Sequence, residues 1–302
     1  MIDLHCHTNY SDGSDEPLTL LNRAAQLGVQ ALAITDHDTL EGYDAAWPHA
    51  RETGFDLLCG VELSTRCAAS ARSAHLLAYF SSDPGSVFRT WLKTLRDKRL
   101  ERNAALLRRL HELKINISCE ELQAVGKRQI GRPHFAKLMV EKGYVKTPGE
   151  AFDRYLCESG LAWVDREEPS LEEAIERVWS AGGIASLAHP VRISRDYGIL
   201  RKLTAALLPH GLEAIECFHP EHTTPDTHAC LEIAADYGLE TTGGSDFHGS
   251  YKPDIQLATG KDGNIQITLP VLQNLRRRFM KKRQHDSPVA ADHAERTCEV
   301  WS

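Results

Sequence analysis

No two cysteines in this sequence are spaced C-x-x-C, although eight occur, at positions 6, 59, 67, 119, 157, 217, 230 and 298. Most lie in apolar or helical surroundings, so they read as free, mostly buried thiols of a reducing cytosol. No apolar run reaches the length needed to cross a bilayer. The first residues carry neither a basic n-region nor an apolar h-region, so no signal peptide is expected. The expectation is a cytoplasmic protein with no membrane contact. An excess of positive charge is also missing. The formal net charge is -7, which argues against a general polyanion-binding surface and leaves room for a local basic pocket. Finally, no clear strand pattern appears between about 86 and 165.

What is present suits one large α/β barrel-like domain with a modest insertion: 302 residues, 42% of them hydrophobic. A short apolar run at 2–5 reads as a strand. Pro17 and the spacing of Leu18, Leu21, Ala24, Ala25 and Leu27 predict a helix over 17–27, closed by Gly28. Strands follow at 29–34, from 57 to 63 and at 74–80, with a helix up to 53 between the first two. This alternation points to a parallel sheet closed or nearly closed into a barrel. The chain then becomes helical. A long helix is expected over 86–113, burying Phe88, Trp91, Leu92, Leu95, Leu106, Leu107 and Leu110. Ser118-x-x-Glu121 forms a capping box, and further helices are expected after Gly131 and over 148–156. Strand and helix alternate again from Ser170, with strands at 184–188, 212–217 and 240–244 and a last helix over 270–283. The domain reading is a barrel from 1–85 and 166–283, a helical insertion at 86–165, and a poorly ordered polar tail at 284–302.

The suspicious side chains gather where strands end: His5, His7 and Asp12; Asp36, His37 and Asp38; Glu62, His75, His189, Asp246 and His248. In a β/α barrel those ends share one face. His5 and His7 alternate with Cys6, so they point the same way. Imidazoles with carboxylates could ligate two or three divalent ions, and a carboxylate such as Glu62 can bridge two. Asp36 reads as support for a ligand or as a proton acceptor, and Asp38 as a helix cap with Thr39. His219 and His222 lie in a loop after a strand, where lining a pocket and merely shaping the loop are both open. The basic run Arg89, Lys93, Arg96, Lys98, Arg99 and Arg102 reads as a solvated helix face, with an RNA-tracking surface as the alternative. Arg276, Arg277, Arg278, Lys281, Lys282 and Arg283 read as a solvated helix end that suits the dipole.

Taken in order, His5-x-His7, Thr35-Asp36-His37-Asp38, Gly60-Val61-Glu62, His75-Leu76-Leu77, Ala188-His189-Pro190 and Gly244-Ser245-Asp246-x-His248 resemble the successive motifs of the PHP (polymerase and histidinol phosphatase) family. The resemblance runs from residue 2 to about 250. It implies a distorted (β/α)7 TIM-like barrel and three divalent ions per chain. Manganese is the first choice, with iron, zinc or magnesium as alternatives. It also implies ligand sets: His5, His7, Glu62 and Asp246; Glu62, His75 and His189; and Asp12, His37 and His248. Gly131-Arg132-Pro133-His134-Phe135-Ala136 resembles the insertion of the branch holding 3',5'-nucleotide bisphosphate phosphatases and 5'-to-3' exoribonucleases. There Arg132 and His134 would meet substrate phosphate, and His189 or Asp36 would manage protons. The expected substrate is a small nucleotide, with short RNA as the alternative and no stable protein partner. Histidinol phosphatase fits the insertion less well. A non-catalytic binding module would show eroded ligand positions, and none is missing.

Overall fold

The computed structural model describes residues 1–67, 72–126 and 128–285. Most of the expected tail, from 286 onward, lies outside them, as does Cys298. Among the described cysteines Cys6, Cys59, Cys67, Cys217 and Cys230 are buried, and all seven are free.

In chain order the first elements are β1 (Ile2–Cys6), α1 (Pro17–Gln26), β2 (Ala31–Ile34), α2 (Glu41–Thr53), β3 (Asp56–Cys67) and β4 (Arg72–Phe80). Four helices follow: α3 (Gly85–Glu112), α4 (Cys119–Gly126), α5 (Arg132–Glu141) and α6 (Pro148–Ala151), the last continued by a π-turn at Phe152–Leu156. The alternation resumes with α7 (Leu171–Ser180), β5 (Ile184–Leu187), α8 (Tyr197–Leu207), β6 (Leu212–Phe218), α9 (Thr224–Tyr237) and β7 (Glu240–Gly243). A two-stranded ribbon, β8 (Ile255–Gln256) with β9 (Gly260–Lys261), precedes α10 (Leu269–His285).

β1 to β7 form one sheet in sequence order. It curls until the segment after β7 meets β1. Cys6 bridges Phe247, the Asp246 N–H donates to the His5 carbonyl at 2.8 Å, and the His7 N–H donates to Phe247 at 2.9 Å. The sheet is not all parallel, which corrects the sequence reading. β4 runs antiparallel to both β3 and β5. Only 68–71 separate β3 from β4, far fewer than the dozen or so residues a parallel crossover needs.

Two apolar layers sandwich the sheet. Inside the curl, Ile2, Leu4, Ala31, Ala33, Leu58, Leu77 and Tyr79 meet Leu272, Leu275 and Phe279 of α10, which closes the floor. Outside, Leu32, Ile34, Val61, Leu63, Leu76 and Phe80 pack beneath the surrounding helices. The basic residues of α10 are not simply solvated: Arg276 pairs with Asp56, and Arg278 and Lys282 pair with Glu213. A third cluster belongs to α3–α6 and includes Leu106, Leu110, Leu122, Phe135 and Met139.

Caps set the helix starts. Ser170 accepts from Glu173 N–H, and Thr223 forms a reciprocal box with Asp226. Burial alone would raise the Asp226 carboxyl. Hydrogen bonds from the Thr223 N–H and hydroxyl, from Tyr197 and from Arg195 outweigh it and hold the group at about 2. Its stabilising contribution is therefore complete above the unfolded carboxyl range of about 4 and fades as pH falls through about 2. Asp226→Ala is expected to cost about 1 kcal/mol at neutral pH. In urea titrations its gap to wild type narrows on acidification below about pH 4; a gap independent of pH would contradict this account.

Candidate metal centre

The sheet's upper rim assembles the site. β1 delivers His5 and, just beyond it, His7. The turn after β1 closes through Ser11 and Gly13 N–H donating to the Thr8 carbonyl, which brings Asp12 back over the rim. β2 ends at Asp36 and His37, and His37 bridges to Glu62 of β3. Because β4 runs downward, its contribution comes near its start, with His75 paired to Ser64. β5 leads to His189, and the loop after β7 supplies Asp246 and His248.

Glu62 is the hub. Its Oε2 lies 3.1 Å from His7 Nε2, 3.3 Å from His5 Nε2 and 3.3 Å from His37 Nδ1. Its Oε1 lies 2.8 Å from His75 Nδ1 and 2.9 Å from His189 Nε2. Asp12 faces His248 Nε2 at 3.3 Å and both His37 and His7 at 3.7 Å. Asp246 Oδ1 faces His7, His248 and His5 at 3.4, 3.5 and 3.6 Å.

Among the described residues, ligand atoms converge in four groups: His7, Asp12, His37 and His248; His5, His219 and Asp246; His5, Glu62 and His189; and His37, Glu62 and His75. His7 thus sits with Asp12 as well as beside His5, and His219 joins the cluster. His5 Nε2, His7 Nε2, His37 Nδ1 and Asp12 Oδ1 are buried without a hydrogen bond. Orphaned polar atoms of this kind need a partner. Burial pushes the Glu62 carboxyl up, but His37, His75 and His5 outweigh it and hold it well below the usual carboxylate range. Asp12 and Asp246 are held low against the same burial, Asp12 by His37 and His248 and Asp246 by Lys252 and His248. Burial also pulls His37 down to about 3 and keeps His189 well below the usual imidazole range. Against the same burial, Glu216 and Glu62 hold His5 well above the usual imidazole range, and Asp246 and Glu62 bring His7 to about 9. Ionised carboxylates gathered with imidazoles are a donor set that fits divalent cations, which displace protons from such rings on binding.

Other expected site residues fall differently. Asp36 accepts from Thr8 N–H (2.8 Å), Thr8 Oγ1 (2.6 Å) and Ser11 Oγ (2.6 Å), and Ser11 Oγ lies 3.3 Å from His7 Nδ1. Both its oxygens are engaged and it does not line the cavity above the cluster. Asp38 does not cap α2. Its carboxylate takes Ser64 N–H at 2.8 Å and Arg99 Nη2 at 2.5 Å, and the Thr39 hydroxyl alone accepts from Glu41 N–H. His222 is turned to the Cys217 carbonyl at 2.9 Å, and neither it nor His219 lines the cavity. Arg132 and His134 do line it, with His134 fixed by Gly131 N–H at 2.9 Å. That cavity measures about 880 Å³ and opens over Asp12, His37, Glu62, His75, Asp246 and His248.

Sequence reasoning missed Glu216. It is fully buried, taking His5 Nδ1 at 2.8 Å and His189 N–H at 2.6 Å. The first contact places the proton on Nδ1 and leaves His5 Nε2 free to face the cluster. The signal was a carboxylate inside the apolar strand Leu212–Phe218. Arg192 and Lys252, on Asp246 Oδ2 at 3.0 and 2.8 Å, had no comparable mark.

A curled α/β sheet carrying a buried histidine–carboxylate cluster under a basic roof defines a metal-dependent phosphoesterase. Comparison with known proteins makes this specific. The PHP domain model matches residues 3–127. The chain is 32% identical to a 5'-3' exoribonuclease of Haemophilus influenzae, over 82% of this chain and 89% of that one. It is 31% identical to a phosphoribosyl 1,2-cyclic phosphate 1,2-diphosphodiesterase of Eggerthella lenta (82% and 94%) and to a 3',5'-nucleoside bisphosphate phosphatase of Chromobacterium violaceum (82% and 87%). A solved structure of a protein from Bifidobacterium adolescentis superposes with a TM-score of 0.80 at 30% identity, covering 91% of this chain and 95% of that one. The chain belongs to the PHP family, and it is a hydrolase. Among the described residues no helix is long and apolar enough to cross a membrane.

Proposed function

We propose that this enzyme removes the 3'-phosphate of nucleoside 3',5'-bisphosphates such as 3'-phosphoadenosine 5'-phosphate, leaving the 5'-monophosphate. The observation that carries the reading is one cavity holding both the Glu62-centred cluster and the side chains of Arg132 and His134. Nine residues, His5, His7, Asp12, His37, Glu62, His75, His189, Asp246 and His248, would hold three divalent ions, manganese first. Bound there, such ions supply Lewis-acid charge to phosphoryl oxygens and lower the pKa of water. Arg132 offers the substrate phosphate a planar fork of donors, and His134 a further one. Glu216 and Asp36 keep His5 and the His7 loop in register. Of the two proton carriers considered, Asp36 is fully engaged, while His189 keeps an unpartnered Nδ1. The helices of 86–165 act as one unit that carries the roof. The name of the Haemophilus influenzae relative favours a second reading, stepwise 5'-to-3' hydrolysis of short 5'-phosphorylated RNA.

Manganese-loaded protein is expected to release phosphate from 3'-phosphoadenosine 5'-phosphate, and the double variant His5→Ala, His7→Ala to release none. Di- to pentanucleotides resolved on gels separate the two readings. Full activity in the double variant would remove the metal-dependent mechanism.

A further inference from the structure

Two sets of cations line the cavity over the cluster. Arg99 and Arg102 of α3 belong to one set, and both are buried, so the basic run of that helix is not a uniformly solvated face. The other set, Arg192 and Lys252, comes from the segments that follow β5 and β7. Both of its members converge on one carboxylate, that of Asp246.

The two oxygens of Asp246 keep separate company. Oδ1 faces the rings of His7, His248 and His5. Oδ2 meets three donors: Lys252 Nζ at 2.8 Å, Arg192 Nη2 at 3.0 Å and His219 Nε2 at 3.4 Å. Two of those donors are spent. The Glu221 N–H donates to His219 Nδ1 at 3.1 Å, which leaves the ring proton on Nε2 and directs it to Asp246. His219 therefore supports a ligand rather than acting as one. Arg192 is strung between two carboxylates, its Nε donating to Glu221 at 2.9 Å. Lys252 differs. An ammonium carries three N–H donors, and among the described residues Asp246 is the only acceptor its Nζ meets. The side chain is 37% exposed and lines the cavity.

Lys252 is held still at its root. It closes the short turn Gly249–Tyr251, its N–H donating to the Gly249 carbonyl at 3.2 Å. Ser250 N–H donates to Ser14 Oγ at 2.9 Å, and the Tyr251 hydroxyl donates to the Val125 carbonyl at 3.1 Å, so the turn is fastened to both rim and roof. A donor fixed in this way loses little freedom when a ligand arrives. Asp246 is one of the residues that would hold ions. A phosphoryl oxygen sharing an ion with its Oδ1 lies beside the ammonium on its Oδ2.

We propose that Lys252 is a further catalytic residue, whose spare N–H groups meet an oxygen of the phosphoryl group being hydrolysed. This rests on the phosphoesterase reading and on Asp246 as a ligand. Water adds its oxygen to phosphorus, the ester oxygen leaves with the bonding pair, and one water proton ends on that oxygen, giving the alcohol and hydrogen phosphate. Lys252 keeps its three protons throughout. It acts by charge, offsetting the negative charge on the phosphoryl oxygens. The contact is to the group common to every substrate, so it does not choose among them.

The test compares manganese-loaded wild type with Lys252→Met. The variant should lower kcat by about 100-fold on 3'-phosphoadenosine 5'-phosphate and by the same factor on p-nitrophenyl phosphate. Its metal content should match wild type, because Asp246 Oδ2 keeps two other donors. Calorimetric titration with inorganic phosphate should show binding weakened by about tenfold. Lys252→Arg, which keeps the charge, should recover part of each loss, and it carries the same comparison if the methionine variant does not fold. Activity lost together with metal and restored by excess manganese would make Lys252 a support for Asp246 alone and overturn the contact. A loss confined to the bisphosphate, or no loss at all, would overturn it too. If wild type hydrolyses neither compound while phosphate still binds through Lys252, the contact stands and the phosphoesterase reading falls.

Discussion

Glu62→Gln is expected to lower phosphoester hydrolysis on the order of 1000-fold and to leave the purified protein short of divalent metal. The change is nearly isosteric, so the effect is chemical. The two oxygens of Glu62 face opposite ways, Oε2 toward His5, His7 and His37 and Oε1 toward His75 and His189. An amide has one such oxygen and no charge, and its NH2 would face ring nitrogens that have to stay free for cations. Removing a group that only supports a ligand costs 10–100-fold; here the shared carboxylate itself is lost. Metal analysis and activity on one preparation decide the matter, and a variant with full metal content and wild-type turnover would show that Glu62 is not the hub.

Gly244→Ala is the second large effect, and it acts through the backbone. A Cβ at 244 would lie 2.3 Å from both the nitrogen and the Cβ of His5. No side chain can swing aside, since the colliding atoms are main chain and the root of a candidate ligand. Nor can the strands part freely. Asp246 N–H is bound to the His5 carbonyl, and His7 N–H to Phe247. Alanine should therefore cost about 3 kcal/mol and move Asp246 and His248 away from His5 and His7. Both urea denaturation and metal content should report it. An unchanged midpoint with full metal would mean that the seam closing the sheet is softer than its hydrogen bonds indicate.

Much of this was legible in the sequence because strand ends and helix caps leave local marks. The apolar runs at β1, β2 and β3, Ser170 with Glu173, and Gly131 opening α5 all speak through neighbours in the chain. What escaped depends on residues distant in sequence. The direction of β4 was set by the shortness of 68–71, yet the run of apolar residues reads alike in either direction. Arg99 and Arg102 read with their charged neighbours in the sequence, although their phase on α3 matches the leucines. Asp38 looked like a cap because it precedes a helix; its left-handed backbone, with φ of 57°, turns the carboxylate inward to Ser64 and Arg99 instead.

The reversed strand has one more effect. Because β4 descends, it releases the chain at the floor, where Phe80 lies opposite Cys59 near the start of β3. The roof over the cluster is at the other end. α3, 28 residues and so about 42 Å long, makes the climb. Phe88, Trp91, Leu92 and Leu95 fasten its lower half to the barrel wall, and Leu106, Leu107 and Leu110 fasten its upper half into the roof. It works as a mast stepped at the base and carrying the canopy at its head, with Arg99 and Arg102 between the two moorings. A mast has no slack in rotation. Each residue turns the helix by about 100°, so the number of residues below Arg99 sets where the two arginines point.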